Sequence, residues 1–155
     1  MTKINAIIFA AVIGIATVSQ AMIAPWYRQV RQFDAAVEAV AERFEVDDAD
    51  ELLVSSVQEM ADDSFVVTTD KATCSVEIVS KVLVSHNGKP MPIVGAPQLS
   101  GKVIKCASNK SVSATKSYEK ISAKMDKAAA KGNFIIAVGV NAKGTIKLTY
   151  KTDDN

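Results

Sequence analysis

The sequence predicts an α+β fold: a long N-terminal helix, membrane-spanning and then amphipathic, packed on a small antiparallel sheet with two shorter helices. Three observations carry this expectation. From Ile4 through Ala24 no side chain is charged, and at about 1.5 Å per helical residue such a run matches the roughly 30 Å of a bilayer core. Beyond Pro25 the apolar residues Trp26, Val30, Phe33, Val37, Val40 and Phe44 recur in steps of four and three, which places them on one stripe of a helix. From Ser64 the chain turns to β-branched residues bounded by polar turns, the pattern of antiparallel strands.

Taken in order, residues 1–25 are a hydrophobic segment suited to a membrane or a filament core. Residues 26–155 form an extracytoplasmic head that includes the amphipathic half of the first helix. Pro25 removes a backbone donor and predicts a gentle bend in a continuous rod. Arg28, Arg31, Asp34, Glu38, Glu42 and Arg43 fall mostly off the apolar stripe, and Glu45-Val46-Asp47-Asp48 ends the helix. Asp48, with Glu51 three residues on, resembles a capping box for a second helix running to about Ala61, with Leu52, Leu53, Val57 and Met60 on its buried face.

Phe65–Thr69 and Thr73–Ser85 read as strands. Asn87-Gly88 suits a type I′ turn that folds Val82–Ser85 onto Lys89–Val94, and Pro90, Pro92 and Pro97 put that return segment on an edge. Gly101–Cys106 is a further short strand, and Ala107–Lys116 a Ser/Lys-rich loop. A third helix follows Ser117 as N-cap, with Tyr118, Ile121, Met125 and Ala128 on one face, Lys127 and Lys131 at its C-terminal end and Gly132 as its stop. Phe134–Val140 and Thr145–Lys151 form a hairpin around Asn141-Ala142-Lys143-Gly144, and Asp153-Asp154-Asn155 a tail.

The chain has 155 residues, so the head is of single-domain size. A net charge of +1 with interspersed acids and bases gives no argument for nucleic acid or for an anionic membrane surface. Cys74 and Cys106 are the only cysteines and lack metal-ligand spacing. An exported chain would join them, closing a loop worth about 3 to 4 kcal/mol; in a reducing compartment they would be two buried thiols.

Reactive chemistry finds little support. His86 sits beside the Asn-Gly turn with no cysteine or carboxylate at ligand spacing, and reads as a solvated turn residue. The strings Ser113 to Lys116 and Ser117 to Lys120 have the spacing by which a lysine activates a serine, but no Ser-Asp-Asn or Lys-Thr-Gly element accompanies them. Asp47, Asp48, Asp50, Asp62, Asp63 and Asp70 could gather around calcium, yet show no EF-hand order. Lys102, Lys105, Lys110 and Lys116 could meet phosphates, yet no aromatic residue is interleaved for stacking. No catalytic residue, metal ligand or cofactor is assigned, and an enzyme is not expected.

The N-terminal segment has two alternative fates. Met1-Thr2-Lys3 is a short basic start, and Ser19-Gln20-Ala21 offers small residues at the spacing a signal peptidase accepts. Against cleavage, the amphipathic stripe begins almost at once after Pro25, in phase for a continuous rod. Arg28 and Arg31 match or outweigh Lys3, so charge alone does not orient the chain, while joined cysteines favour Lys3 inside.

Met1-Thr2 at the start, Gly14-Ile15 midway along the apolar run and Pro25-Trp26-Tyr27 at its end resemble type IV pilins and pseudopilins. Gly144-Thr145-Ile146-Lys147-Leu148-Thr149-Tyr150 resembles the terminal strand of many pilins. The likeness covers the first thirty or so and the last twenty or so residues. It implies a rod that packs into a filament core while a sheet domain, often with one disulfide, covers the outside. Two positions depart from the family pattern: Asn5 stands where the family has glutamate and Lys3 where it has an apolar residue, so Asn5 offers no charge to a neighbouring N-terminus.

The expected function is therefore a structural subunit of a pilin-like extracellular filament, assembling through its N-terminal hydrophobic helix. Ala10, Gly14, Pro25, Trp26, Tyr27, Val30, Phe33 and Val37 are the expected packing residues, with the small side chains of the rod permitting close approach. Its partners would be copies of itself, membrane lipid before assembly and envelope assembly machinery, and its location the inner membrane and then the cell surface. The alternative is a single-pass anchored or signal-cleaved periplasmic binding or adaptor protein.

Overall fold

The computed structural model describes residues 24–81, 87, 98–109 and 114–152. Helix α1 spans Pro25–Arg43, and its first residue is the proline. Proline is at home there, because an amide in the first turn has no partner to lose and the fixed φ already suits a helix. The stripe buries Val30, Phe33, Val37 and Val40. The glutamines beside it, Gln29 and Gln32, go under with them.

A 3-10 turn, Ala49–Glu51, leads into strand β1, Leu53–Ala61, and then β2, Ser64–Thr69, and β3, Ala72–Lys81. Strand β4, Gln98–Ser108, and the two-residue β5, Lys116–Ser117, precede helix α2, Tyr118–Ala130. Strands β6, Ile135–Val140, and β7, Ile146–Tyr150, close the described chain. The strands form one seven-stranded sheet of order β4-β3-β2-β1-β6-β7, every pair antiparallel. The short β5 pairs with β1 at Leu53 and Val54, and β6 pairs further along at Ser56 to Gln58.

Register explains the core. Val57 lies opposite Val67 on one side and Val138 on the other, Val67 lies opposite Cys74, and Cys74 lies opposite Cys106. Because side chains alternate faces along a strand, this row points to the same side, against the helices. Both helices share a single apolar core with that face. At its centre the rings of Phe33 from α1 and Phe65 from β2 meet edge to face, with centroids 5.1 Å apart.

Several expectations need correction. The sequence predicts a long N-terminal rod on a small sheet with two shorter helices. Among the described residues there is instead a seven-stranded sheet, a helix that begins at Pro25 and one shorter helix, α2. No helix among those residues is long and apolar enough to cross a membrane. Pro25 starts a helix rather than bending one. The first half of the expected rod, with Ala10 and Gly14, lies outside the described residues.

The helix expected from Asp48 to Ala61 is a 3-10 turn followed by strand. Asp48 does cap, accepting from the amide of Asp50 at 2.9 Å, but the turn it starts is only three residues long. Leu53 and Met60, expected on a buried helical face, are 43% and 61% exposed, while Val54 and Val57 are fully buried. β-branched Val54 and Val57 lose little in a strand, and pairing on both edges of β1 outweighs the local cap. Elsewhere β2, β3, β4, α2, β6 and β7 each contain or overlap the expected segment. The loop expected from Ala107 gives its first two residues to β4, and Lys116 belongs to β5. Asn87 lies in a turn, while Gly88 and the strands expected to flank it, with Pro90, Pro92 and Pro97, lie outside the described residues.

Candidate functional site

The polar groups buried with α1 form the most distinctive feature of the head. Gln29 and Gln32 are 3% and 6% exposed, which would be costly without partners. Each Nε2 donates to a carboxylate of the β1–β2 hairpin: Gln29 to Glu59 Oε2 and Gln32 to Asp63 Oδ1, both at 2.6 Å. Asp63 adopts φ 59°, in the left-handed region, where asparagine and aspartate are the least strained residues after glycine. Its carbonyl accepts from the amide of Ile78 at 2.7 Å. Asp63 thus links two elements at the hairpin tip, holding α1 through its carboxylate and β3 through its carbonyl, while Glu59 holds α1 one turn earlier.

Burial raises the Glu59 carboxyl above its ordinary range. The hydrogen bond from Gln29 works against that shift, the charges of Asp62 and Asp63 add to it, and Lys151 opposes it. Beside these groups lies an open cleft of about 350 Å³ whose walls include Pro25, Arg28, Glu59, Asp62, Asp63 and Phe134. Lys151 Nζ lies over the ring of Phe134, 5.5 Å from its centre.

A second polar contact joins the helices. Tyr118, the first residue of α2, is 3% exposed and donates its hydroxyl to Asp34 Oδ1 of α1 at 2.6 Å. Desolvation raises the Asp34 carboxyl. The tyrosine bond lowers it, and the charges of Asp126, Asp50 and Glu38 raise it further. Burial pushes the Tyr118 hydroxyl well above its usual value, with Asp34 adding to the shift, so the tyrosine stays a donor.

Cys74 and Cys106 are bonded, on directly opposed positions of β3 and β4 with Cα atoms 4.1 Å apart. The bridge ties edge strand β4 to the sheet.

No family model, curated protein or solved structure matches the chain.

Of the expected packing residues, Val30, Phe33 and Val37 are buried against the chain's own sheet. Trp26 is half-buried against that core, Tyr27 is 43% exposed, and Pro25 lines the cleft. The helix surface open to a partner is thus narrower than the stripe suggests. The aspartates considered for calcium are split: Asp62 and Asp63 lie at one end of β2 and Asp70 at the other. Among the described residues no group of three or more histidine, cysteine or acidic side chains could hold a metal ion. Lys102 and Lys105 are exposed on β4 and Lys116 is half-buried in β5, while His86, Lys110 and Ser113 lie outside the described residues. Nothing in the sequence singles out Gln29, Gln32, Glu59, Asp63 or the Asp34–Tyr118 pair, because a polar residue flanking an apolar stripe looks the same whether it meets water or a distant carboxylate.

Proposed function

We propose that the chain is an exported, non-enzymatic structural subunit: a disulfide-stapled head carried on the uncharged segment Ile4–Ala24, through which copies assemble into a surface filament. The observation that carries this reading is where α1 begins. Its first residue is Pro25, the residue next to the end of the uncharged run, so the sequence leaves no spacer between that run and a helix built into the head's core. An apolar surface of that size must be covered by lipid or by protein. The Cys74–Cys106 bond supports the same reading, since such bonds persist mainly outside reducing compartments. A sheet domain with one disulfide is also part of what the pilin resemblance implies.

Lipid before assembly, envelope assembly machinery and further copies of the chain are the partners this role requires. The test is the mature protein from its native host. Intact mass and N-terminal sequencing should show that residues 4–24 are retained, and electron microscopy of sheared surface material should show filaments containing the chain. A mature protein beginning near Met22 and recovered as a soluble monomer would overturn the proposal in favour of a signal-cleaved periplasmic protein.

A further inference from the structure

Among the described residues the sheet ends in two edges, β4 and β7, and β4 is the more heavily guarded. An edge strand presents unpaired amides and carbonyls, and proteins blunt it with lysines and bulges. Strand β4 carries exposed Lys102 and Lys105, and its register with β3 shifts between Ser75 and Val76. Strand β7 pairs in register with β6 from Ile146 to Thr149; the shift that follows, between Ile135 and Ala137, puts its extra residue on β6, and β7 carries one lysine, Lys147.

The direction of the β7 backbone groups follows from two hydrogen bonds. The amide of Asn141 donates to the carbonyl of Thr145 at 3.0 Å, and the amide of Lys151 donates to the carbonyl of Phe134 at 2.8 Å. Odd-numbered residues of β7 therefore turn their backbone groups to β6. Ile146, Leu148 and Tyr150 turn theirs to the open edge. Lys124 of α2 donates to the Ile146 carbonyl, and this is the edge group that already has a partner.

We infer that β7 pairs antiparallel with β7 of a second copy, about a twofold axis at Leu148. The sequence of the strand is what selects a copy of itself. In that register Leu148 meets Leu148, Ile146 meets Tyr150 and Lys147 meets Thr149, so no like charges are opposed and the outward backbone groups fall into hydrogen-bonded pairs. The partly buried Ile146 and Leu148, which already pack against the core, continue their apolar row into the partner, and Tyr150, 41% exposed, gains cover. Lys124 must share or release the Ile146 carbonyl, an exposed contact that water replaces. The pairing goes beyond the filament reading and does not depend on it, because it forms whether or not residues 4–24 are retained.

Lys147 and Thr149 of opposed strands occupy a non-hydrogen-bonded position, where Cα atoms approach to about 4.5 Å and a cross-strand disulfide can close. The test uses the full chain, dilute in detergent, oxidised and run on a non-reducing gel. Lys147→Cys combined with Thr149→Cys should form a covalent dimer at least roughly tenfold faster than either single variant, because only the double variant places two thiols opposite one another at high effective concentration. Adding Tyr150→Pro should abolish the dimer, since it removes an amide aimed at the open edge and none that bonds β6. Equal rates in the double and single variants, or a dimer that survives Tyr150→Pro, would overturn the pairing. Crosslinking of the double variant alone decides the register should the proline variant fail to fold.

Discussion

Gly101 shows how much one absent side chain can fix. A Cβ at this position would lie 2.7 Å from the Ala35 carbonyl oxygen, 2.7 Å from Ala39 Cβ and 2.9 Å from Val76 Cγ1. Strand β4 can run beneath α1 only because position 101 is empty. Gly101→Ala should lower stability by about 1 to 3 kcal/mol in denaturant titrations, since backbone and short side chains offer no flexible end to give way. Asp34 tests the electrostatics at the same scale. Its carboxyl is held above the ordinary range, chiefly by desolvation, so the ionised form carries a cost in the folded state. That cost is fully present above the folded pKa and vanishes as pH falls toward the unfolded value near 4. Melting temperature should therefore rise on mild acidification, by more in the wild type than in Asp34→Asn. Tyr118→Phe should cost about 1 to 3 kcal/mol at neutral pH, because it leaves that carboxylate half-buried without its donor.

At the scale of elements, the stretch from Leu52 to Ala61 shows where sequence reasoning reaches its limit. Asp48 and Glu51 signal a helix start, and the cap is real, but the conformation beyond it is decided by neighbours distant in the chain: β2 on one side, β5 and β6 on the other. Local signals identify α1, α2 and most strands because their apolar periods are long or their turns well marked. They cannot distinguish strand from helix in a short run, nor foresee that two glutamines are drawn under α1 to meet Glu59 and Asp63. The Cys74–Cys106 pair is legible as one of two alternatives, since two cysteines have one way to pair, while their direct opposition across β3 and β4 is not. Reduction should destabilise the head by about 3 to 4 kcal/mol, the closure entropy of the loop, read as a shift in chemical denaturation with and without reductant.

For the whole molecule, the polar contacts share one member. Helix α1 reaches the β1–β2 hairpin through Gln29 and Gln32, and α2 through Asp34, while its apolar stripe supplies the centre of the core. Force applied at the start of α1 would thus pass into the β1–β2 hairpin, α2 and the shared apolar core. That is the mechanical property the proposed filament subunit would need.

The register of β3 with β4 carries one more consequence. Lys81 and Gln98 are partners across adjacent strands, so residues 82–97 depart from the sheet and rejoin it at neighbouring points. A tight Asn-Gly link should therefore suffice to join Lys81 to Gln98 in their observed register. The β3–β4 register thus marks a point at which a link of chosen length could be fitted while both strand ends keep their pairing.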